Sequence, residues 1–313
     1  MLKLSNKKEH YCWCCDYNSN TGEGNLSRIF VNNLKIQEKI KIFTIKKIIV
    51  NKFFYTIFNY KYISPFIGIL FCWISYLKKK TPVYVNYLPL WNIFLFILLP
   101  PKTIFGPITG GAHYNINKIN LTRKYVFPIL FLISDFFLKR RNIKVIFSTD
   151  LLKPYLSKLI KQKSYFNYVF KLISLKKKKK KEIDFLIYYR EHKNKKDFFQ
   201  YKAIENLLKL NFSVHIIGDR LKYDSVINHG FISNKKVQVL LKKTRFSLIS
   251  NENVYSLFSI ECINNHVKLI TSINNKKEIK YFKKNFIFLN LNKVSVIKKL
   301  KKLISSDNPI FNN

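Results

Sequence analysis

Glycine is scarce in this chain, with eight among 313 residues, and arginine scarcer still among the 57 basic ones. Acidic residues number 17 and cysteines five. Five cysteines, an odd number, are too few for a disulfide framework. Cys12, Cys14, Cys15, Cys72 and Cys262 also lack metal-ligand spacing. A reducing compartment and a chain without structural zinc are therefore expected. Arginine occurs only at 28, 123, 140, 141, 190, 220 and 245. Its shortage argues against nucleic acid as a partner, because base readers lean on the guanidinium fork for bidentate contacts. Met1–His10 is polar and lacks the apolar core of a signal peptide.

What is abundant is lysine, and the formal net charge is +40. Lys, Asn, Ile, Phe and Tyr are common together while Ala, Gly and Arg are rare, a pattern of codon drift in an AT-rich genome. Attraction to acidic lipid headgroups needs charge without fork geometry, so an anionic membrane surface is the charged partner to expect. Apolar residues make up 48% and aromatics 16%, which supplies a large core and excludes general disorder. The length fits about two domains of ~150 residues.

The most apolar region lies between Phe53 and Leu138. Within it Tyr62–Leu77 is uncharged for 16 residues and Thr81–Pro101 for 21. The second run is long enough to span a bilayer, but Pro82, Pro89, Pro100, Pro101, Asn86 and Asn92 would break its backbone pairing in lipid. It parses better as a strand at Val83–Tyr87, a short helix at Leu90–Leu99 and a strand at Thr103–Phe105. Apolar helices flanked by Lys78–Lys80 and Lys139–Arg141 fit a chain lying on a membrane surface rather than crossing it. The expected location is cytoplasmic, peripheral at the inner face of the plasma membrane.

Apolar runs alternate with helical patterns along most of the chain, which predicts βαβ units. Tyr11–Cys15 reads as a buried strand, followed by a turn-rich loop Asp16–Gly24 and an amphipathic segment from Asn25 toward Leu34. Ile143–Ser148 reads as a strand with Leu151–Ile160 helical after it. The lysine run Lys176–Lys181 breaks the pattern and reads as a solvated linker. Beyond it strands are expected at Asp184–Tyr189, Phe212–Ile217, Arg245–Ser250 and Val267–Ser272. Helices are expected at Phe198–Leu210, after a cap at Ser233 or Asn234, and at Ser256–Asn265. The expected architecture is α/β, two Rossmann-like domains facing a cleft. They span residues 1–175 and 183–313, joined by a basic linker at 176–182.

In such folds ligands bind beyond the carboxyl ends of strands, where loops run into helix N-termini. Four places qualify. The first, Asn18–Gly24, carries Gly22, Glu23 and Gly24. It is either a tight turn or a backbone cradle for an anionic or polyhydroxyl ligand. The second, Gly106–Tyr114, holds three of the eight glycines, with Gly110 and Gly111 beside His113. That histidine is either a base in the cleft or an ordinary loop residue. In the third, Arg190 stands at a strand end with Lys195 five residues on, two cations suited to a diphosphate. The fourth is Ser250–Cys262, where Glu261 sits in an otherwise apolar helix and needs either a ligand or a salt bridge.

The order of these features in Asp184–Ser272 resembles the donor-binding domain of the GT-B glycosyltransferases, group 1 nucleotide-sugar family. The resemblance implies that Arg190 and Lys195 hold the donor diphosphate and that Glu261 holds the ribose hydroxyls. It implies that amides of Tyr255, Ser256 and Leu257 help cradle phosphate, that Phe231 lies where the base is sandwiched, and that Gly218 borders the donor. The glycine loops with Gly22, Glu23, Gly24, Gly110 and Gly111 would face the acceptor. The family's Glu-x7-Glu motif is incomplete, because Asn253 stands where its first carboxylate would be. The implied activity is metal-independent, retaining sugar transfer from a nucleotide-sugar to a glycan or lipid-linked acceptor in cell-envelope polysaccharide synthesis. No cofactor is expected. The alternatives are a catalytically inactive GT-B relative and a basic membrane-surface binding protein.

Overall fold

A computed structural model of the chain describes residues 9–18, 21–35, 39–45, 60–109, 121–141, 145–177, 180–191, 199–249, 253–272, 276, 279–290 and 292–305. The chain divides into two compact units, Met1–Lys171 and Leu172–Asn313.

The first unit runs β1 (His10–Cys14), α1 (Gly22–Lys35), β2 (Ile40–Phe43), α2 (Tyr60–Leu77), β3 (Thr81–Pro89), α3 (Ile93–Leu98) and β4 (Ile104–Thr109). A π-helical turn, Thr122–Val126, leads into α4 (Phe127–Arg140), followed by β5 (Val145–Ile146), α5 (Lys158–Lys163) and β6 (Ser164–Tyr165). Strands β2-β1-β3-β4 form a parallel sheet in that order. A parallel bridge from Ile108 to Phe147 aligns β5 beside β4, and β6 pairs with β5. Successive residues of β1 point to opposite faces. Trp13 enters a core with Cys72, Phe96, Phe131 and Leu138, while Cys12 and Cys14 enter another with Phe30, Val31 and Leu34. Helices cover both faces, so the strand carries no polar alternation. Its thiols are buried in these cores, and burial pushes Cys15, the residue that follows the strand, up to about 12.

The second unit runs β7 (Ile183–Tyr189), α6 (Tyr201–Lys209), β8 (Val214–Gly218), β9 (Val226–Gly230), α7 (Asn234–Lys243) and β10 (Thr244–Leu248). It continues with α8 (Leu257–Asn264), β11 (Lys268–Thr271), β12 (Phe286–Phe288) and α9 (Val294–Ser305). Its parallel sheet has the order β12-β11-β10-β7-β8-β9. The chain thus steps from β7 to β9 in one direction, then returns to lay β10, β11 and β12 on the other side of β7. Phe185, Ile187, Ile204, Leu207, Val214 and Phe246 fill its core.

Three local expectations change. Helix α1 begins at Gly22 rather than Asn25, because Thr21 caps it and its hydroxyl accepts the Gly24 amide at 3.0 Å. Leu151–Ile160 is not one helix. Pro154 stays in a 3-10 turn, and Ser157 starts α5 by accepting from the Ile160 amide. The described part of the lysine run is not a free linker either. Asn264 and Asn265 end α8 with carbonyls that have no partner inside the helix, and such carbonyls attract cations and donors. The Lys176 amide donates to Asn264 O (2.9 Å) and Lys181 Nζ to Asn265 O (2.9 Å). The Glu182 amide donates to Lys243 O (2.7 Å). Burial lowers the Lys181 ammonium to about 8. Among the described residues, no helix is long and apolar enough to cross a membrane.

Candidate functional site

The strand order of the second sheet has one reversal, the kind of place where a ligand would bind. The winding direction reverses between β7 and β10, and open α/β sheets bind ligands outside the carboxyl ends of strands at that reversal. Arg190 follows β7 directly and is exposed. On the other side, the segment after β10 leads through Asn253–Ser256 into α8. The two flanks meet where the Tyr188 ring packs against Phe258 of the first turn of α8, with centroids 5.8 Å apart. Gln200, preceding α6, donates to Ile249 O (3.2 Å) and ties α6 to the end of β10.

Beside Arg190, Gly218 closes β8 at φ +102°, and a Cβ there would stand 2.2 Å from Tyr189 O. Only glycine lets these strand ends approach so closely. The Asp219 amide donates to that same Tyr189 O (3.0 Å), and its carboxylate accepts the Glu191 amide (2.7 Å), pinning the loop that carries Arg190. Lys195 lies outside the described residues.

Helix α8 is capped by Ser256, whose Oγ accepts the Ser259 amide at 3.1 Å. Leu257 therefore stands at the head of the helix, where the dipole and orphan amides favour negative charge. The Tyr255 amide, expected to face phosphate, instead donates to Asn253 Oδ1 (3.0 Å) in a tight turn. Its side chain is core: the hydroxyl donates to Tyr281 O and accepts the Tyr281 amide. Asn253 thereby shapes the turn.

Glu261 lies one turn further along α8, where its Oε1 accepts from Asn234 Nδ2 of α7 at 2.9 Å. Burial raises its pKa, against the smaller opposing effects of Asn234 and Lys176. Lys176 Nζ in turn donates to Gln238. Asn234 and Lys176 were missed as partners: one was visible only as a helix cap, the other was hidden in a lysine run. Phe231 is 73% exposed after Gly230, at the carboxyl end of β9.

In the first unit, Gly22 and Gly24 lie in the first turn of α1 rather than in a loop. A Cβ on Gly24 would stand 2.2 Å from Asn18 O, so the preceding backbone folds directly against the helix. Asp16 accepts from the Asn18 amide (2.8 Å) and the Thr21 hydroxyl (2.5 Å). With Asp16 in this loop and Glu23 in the first turn, the helix head suits hydroxyl groups better than an anion. Gly110, Gly111 and His113 lie outside the described residues.

No family model matches the sequence, and no curated protein does. Solved structures do. The chain is similar to a Listeria monocytogenes protein assigned as a UDP-N-acetylglucosamine 2-epimerase, with a TM-score of 0.52 at 8% identity. That similarity covers 98% of this chain and 90% of the other. It is also similar to an alpha-glucosyltransferase in complex with UDP-glucose and DNA containing an abasic site, with a TM-score of 0.52 at 10% identity. Here the coverage is 97% and 92%. The chain has the GT-B fold. In this GT-B chain the second unit carries Arg190, Gly218 and the head of α8 on one sheet edge. Among the described residues no group of three His, Cys, Asp or Glu side chains is arranged to hold a metal ion.

Proposed function

We propose that this chain is a glycosyltransferase that moves a sugar from a nucleotide-diphosphate-sugar to a hydroxyl of a glycan or lipid-linked acceptor. The observation that carries this reading is the reversal between β7 and β10, which sets Arg190 on one flank and the α8 head on the other. The acceptor oxygen forms a bond to the anomeric carbon and its proton is released. The bond to the donor phosphate breaks, and the nucleoside diphosphate leaves with the electron pair. Arg190 and Lys195 would meet the charge that develops on that leaving group, a term of the kind that dominates many enzymes. They would do so in place of a metal.

Glu261 would accept from the ribose hydroxyls beside Asn234, and Phe231 would lie against the base. His113 and the glycine segments Gly22–Gly24 and Gly110–Gly111 would serve the acceptor side. A lipid-linked acceptor for an envelope polysaccharide, with retention at the anomeric carbon, completes the proposal. The glucosyltransferase of similar fold was solved with UDP-glucose, which makes UDP the first nucleotide to try.

The test is thermal stabilisation by UDP, GDP, ADP and their sugar conjugates, with and without a chelator. A ligand at about 100 times its Kd adds ~2.7 kcal/mol to the folded state. One nucleotide should stabilise the chain regardless of chelator, and Arg190→Ala should abolish the shift. An unchanged shift in Arg190→Ala removes the assignment. Stabilisation without sugar transfer would mark an inactive GT-B relative.

A further inference from the structure

Helices α2, α3 and α4 cover one face of the first sheet. Trp73 Nε1 of α2 donates to Leu98 O of α3 (2.7 Å), and Trp91, just before α3, stacks on Phe127 of α4 with centroids 5.5 Å apart. Their inward sides share the core around Trp13 and Tyr84. A helix on a water-facing surface normally carries polar residues outward, but these three do not. On α2 the outward positions are Phe66, Leu70, Trp73, Ile74 and Leu77, spaced as one helical face opposite buried Ser64, Cys72 and Ser75. On α3 they are Phe94, Ile97 and Leu98. Along α4 and the turn before it they are Leu121, Tyr125, Ile129, Leu132 and Phe136. Leu77 is 74% exposed, Leu121 72%, and Phe94 and Leu132 68% each. Scattered apolar side chains need no explanation, but a continuous patch across three helices marks a contact surface.

The rim decides what covers it. Each helix precedes a strand of one parallel array, so the three run side by side in the same direction and end at one edge. Exposed Lys78 and Lys79 follow α2, Lys102 follows α3, and Lys139 and Arg140 end α4. The one carboxylate in these helices, Asp135, is turned inward, accepting from the Ser157 amide and hydroxyl at 3.0 Å each and pairing with Lys139. An apolar plateau with a cationic edge and no outward acid matches an anionic bilayer, in which chains take the apolar residues and headgroups the cations. A second copy of the chain would instead bring two +40 molecules together.

We propose that the α2–α3–α4 face seats the first unit on an anionic lipid surface. This deepens the lipid-linked acceptor reading, which it rests on only for its purpose, since lipid binding requires no donor. The test is co-sedimentation of the full chain with vesicles of phosphatidylcholine, alone or mixed with phosphatidylglycerol. Partitioning should need phosphatidylglycerol and weaken with salt. Lipids with brominated acyl chains should quench tryptophan emission, because Trp73 and Trp91 lie on the face while Trp13 is buried. The double variant Phe94→Glu, Leu132→Glu should keep the wild-type circular dichroism and lose binding by at least about tenfold. Lys78→Glu with Arg140→Glu should lose a similar factor.

Absence of wild-type binding overturns the proposal, as does wild-type binding by a folded Phe94→Glu, Leu132→Glu chain. Self-association abolished by those substitutions, without lipid binding, would assign the face to a second copy and overturn it too. Arg190→Ala should bind vesicles as the wild type does, so failure of the donor site and failure of the lipid face are told apart.

Discussion

Glu261 shows how much a single residue's meaning depends on its surroundings. Burial raises its pKa above the ordinary 4.5, so the folded state holds its proton more tightly than the unfolded chain does. For a carboxyl group with a raised folded pKa, the stabilising contribution is complete below 4.5 and is lost as pH rises through the folded value. Replacing the acid by its neutral isostere removes that loss. Glu261→Gln should therefore melt higher than the wild type near pH 7, and the difference should vanish near about pH 4, in thermal scans across that range. The residue was legible as an acid in an apolar helix. Its partner Asn234, 27 residues away, was not, because the pair exists only once α7 and α8 pack together. Tyr255 shows the converse. It was legible as part of the loop before α8, but packing turned its amide to Asn253 and its ring into the core.

At the scale of elements, Arg141 turned out to have a different role. By position it belongs to the basic flank of an apolar helix. In the structure its guanidinium folds inward, donating to Phe96 O (2.6 and 3.2 Å), Leu99 O (2.6 Å) and Pro100 O (2.9 Å). Burial lowers its pKa. These are the last carbonyls of α3 and its exit, groups a helix end leaves unpaired. Arg141→Ala should cost about 2 kcal/mol in denaturant unfolding, and Arg141→Lys should not restore it, because a single ammonium cannot reach three carbonyls at fork geometry. Strand and helix positions were legible wherever apolar periodicity ran unbroken, as in β7 and α7. They were misjudged where a side-chain cap or a proline decided the boundary, as at Thr21 and Pro154.

Across the whole molecule, charge is the least balanced quantity. Ion pairs among the described residues include Lys41 and Lys80 with Glu9, and Arg245 with Asp184, but the 57 basic residues outnumber the 17 acidic ones by 40. Exposed like charges repel over a screening length of about 10 Å at 0.1 M salt. The melting temperature should therefore rise as salt increases from low to physiological levels. Scans against sodium chloride check this, and a fall would mean that specific ion pairs outweigh the net repulsion.

The sequence by itself determined that the chain builds two Rossmann-like α/β units, because strand–helix alternation is written in apolar periods of a few residues and in the turns between them. The tertiary structure alone decided that β10 returns to lie beside β7, which face of α2 and α4 the fold leaves uncovered, and which residues surround Glu261. Those outcomes are set by contacts between segments far apart along the chain, and no local pattern encodes them.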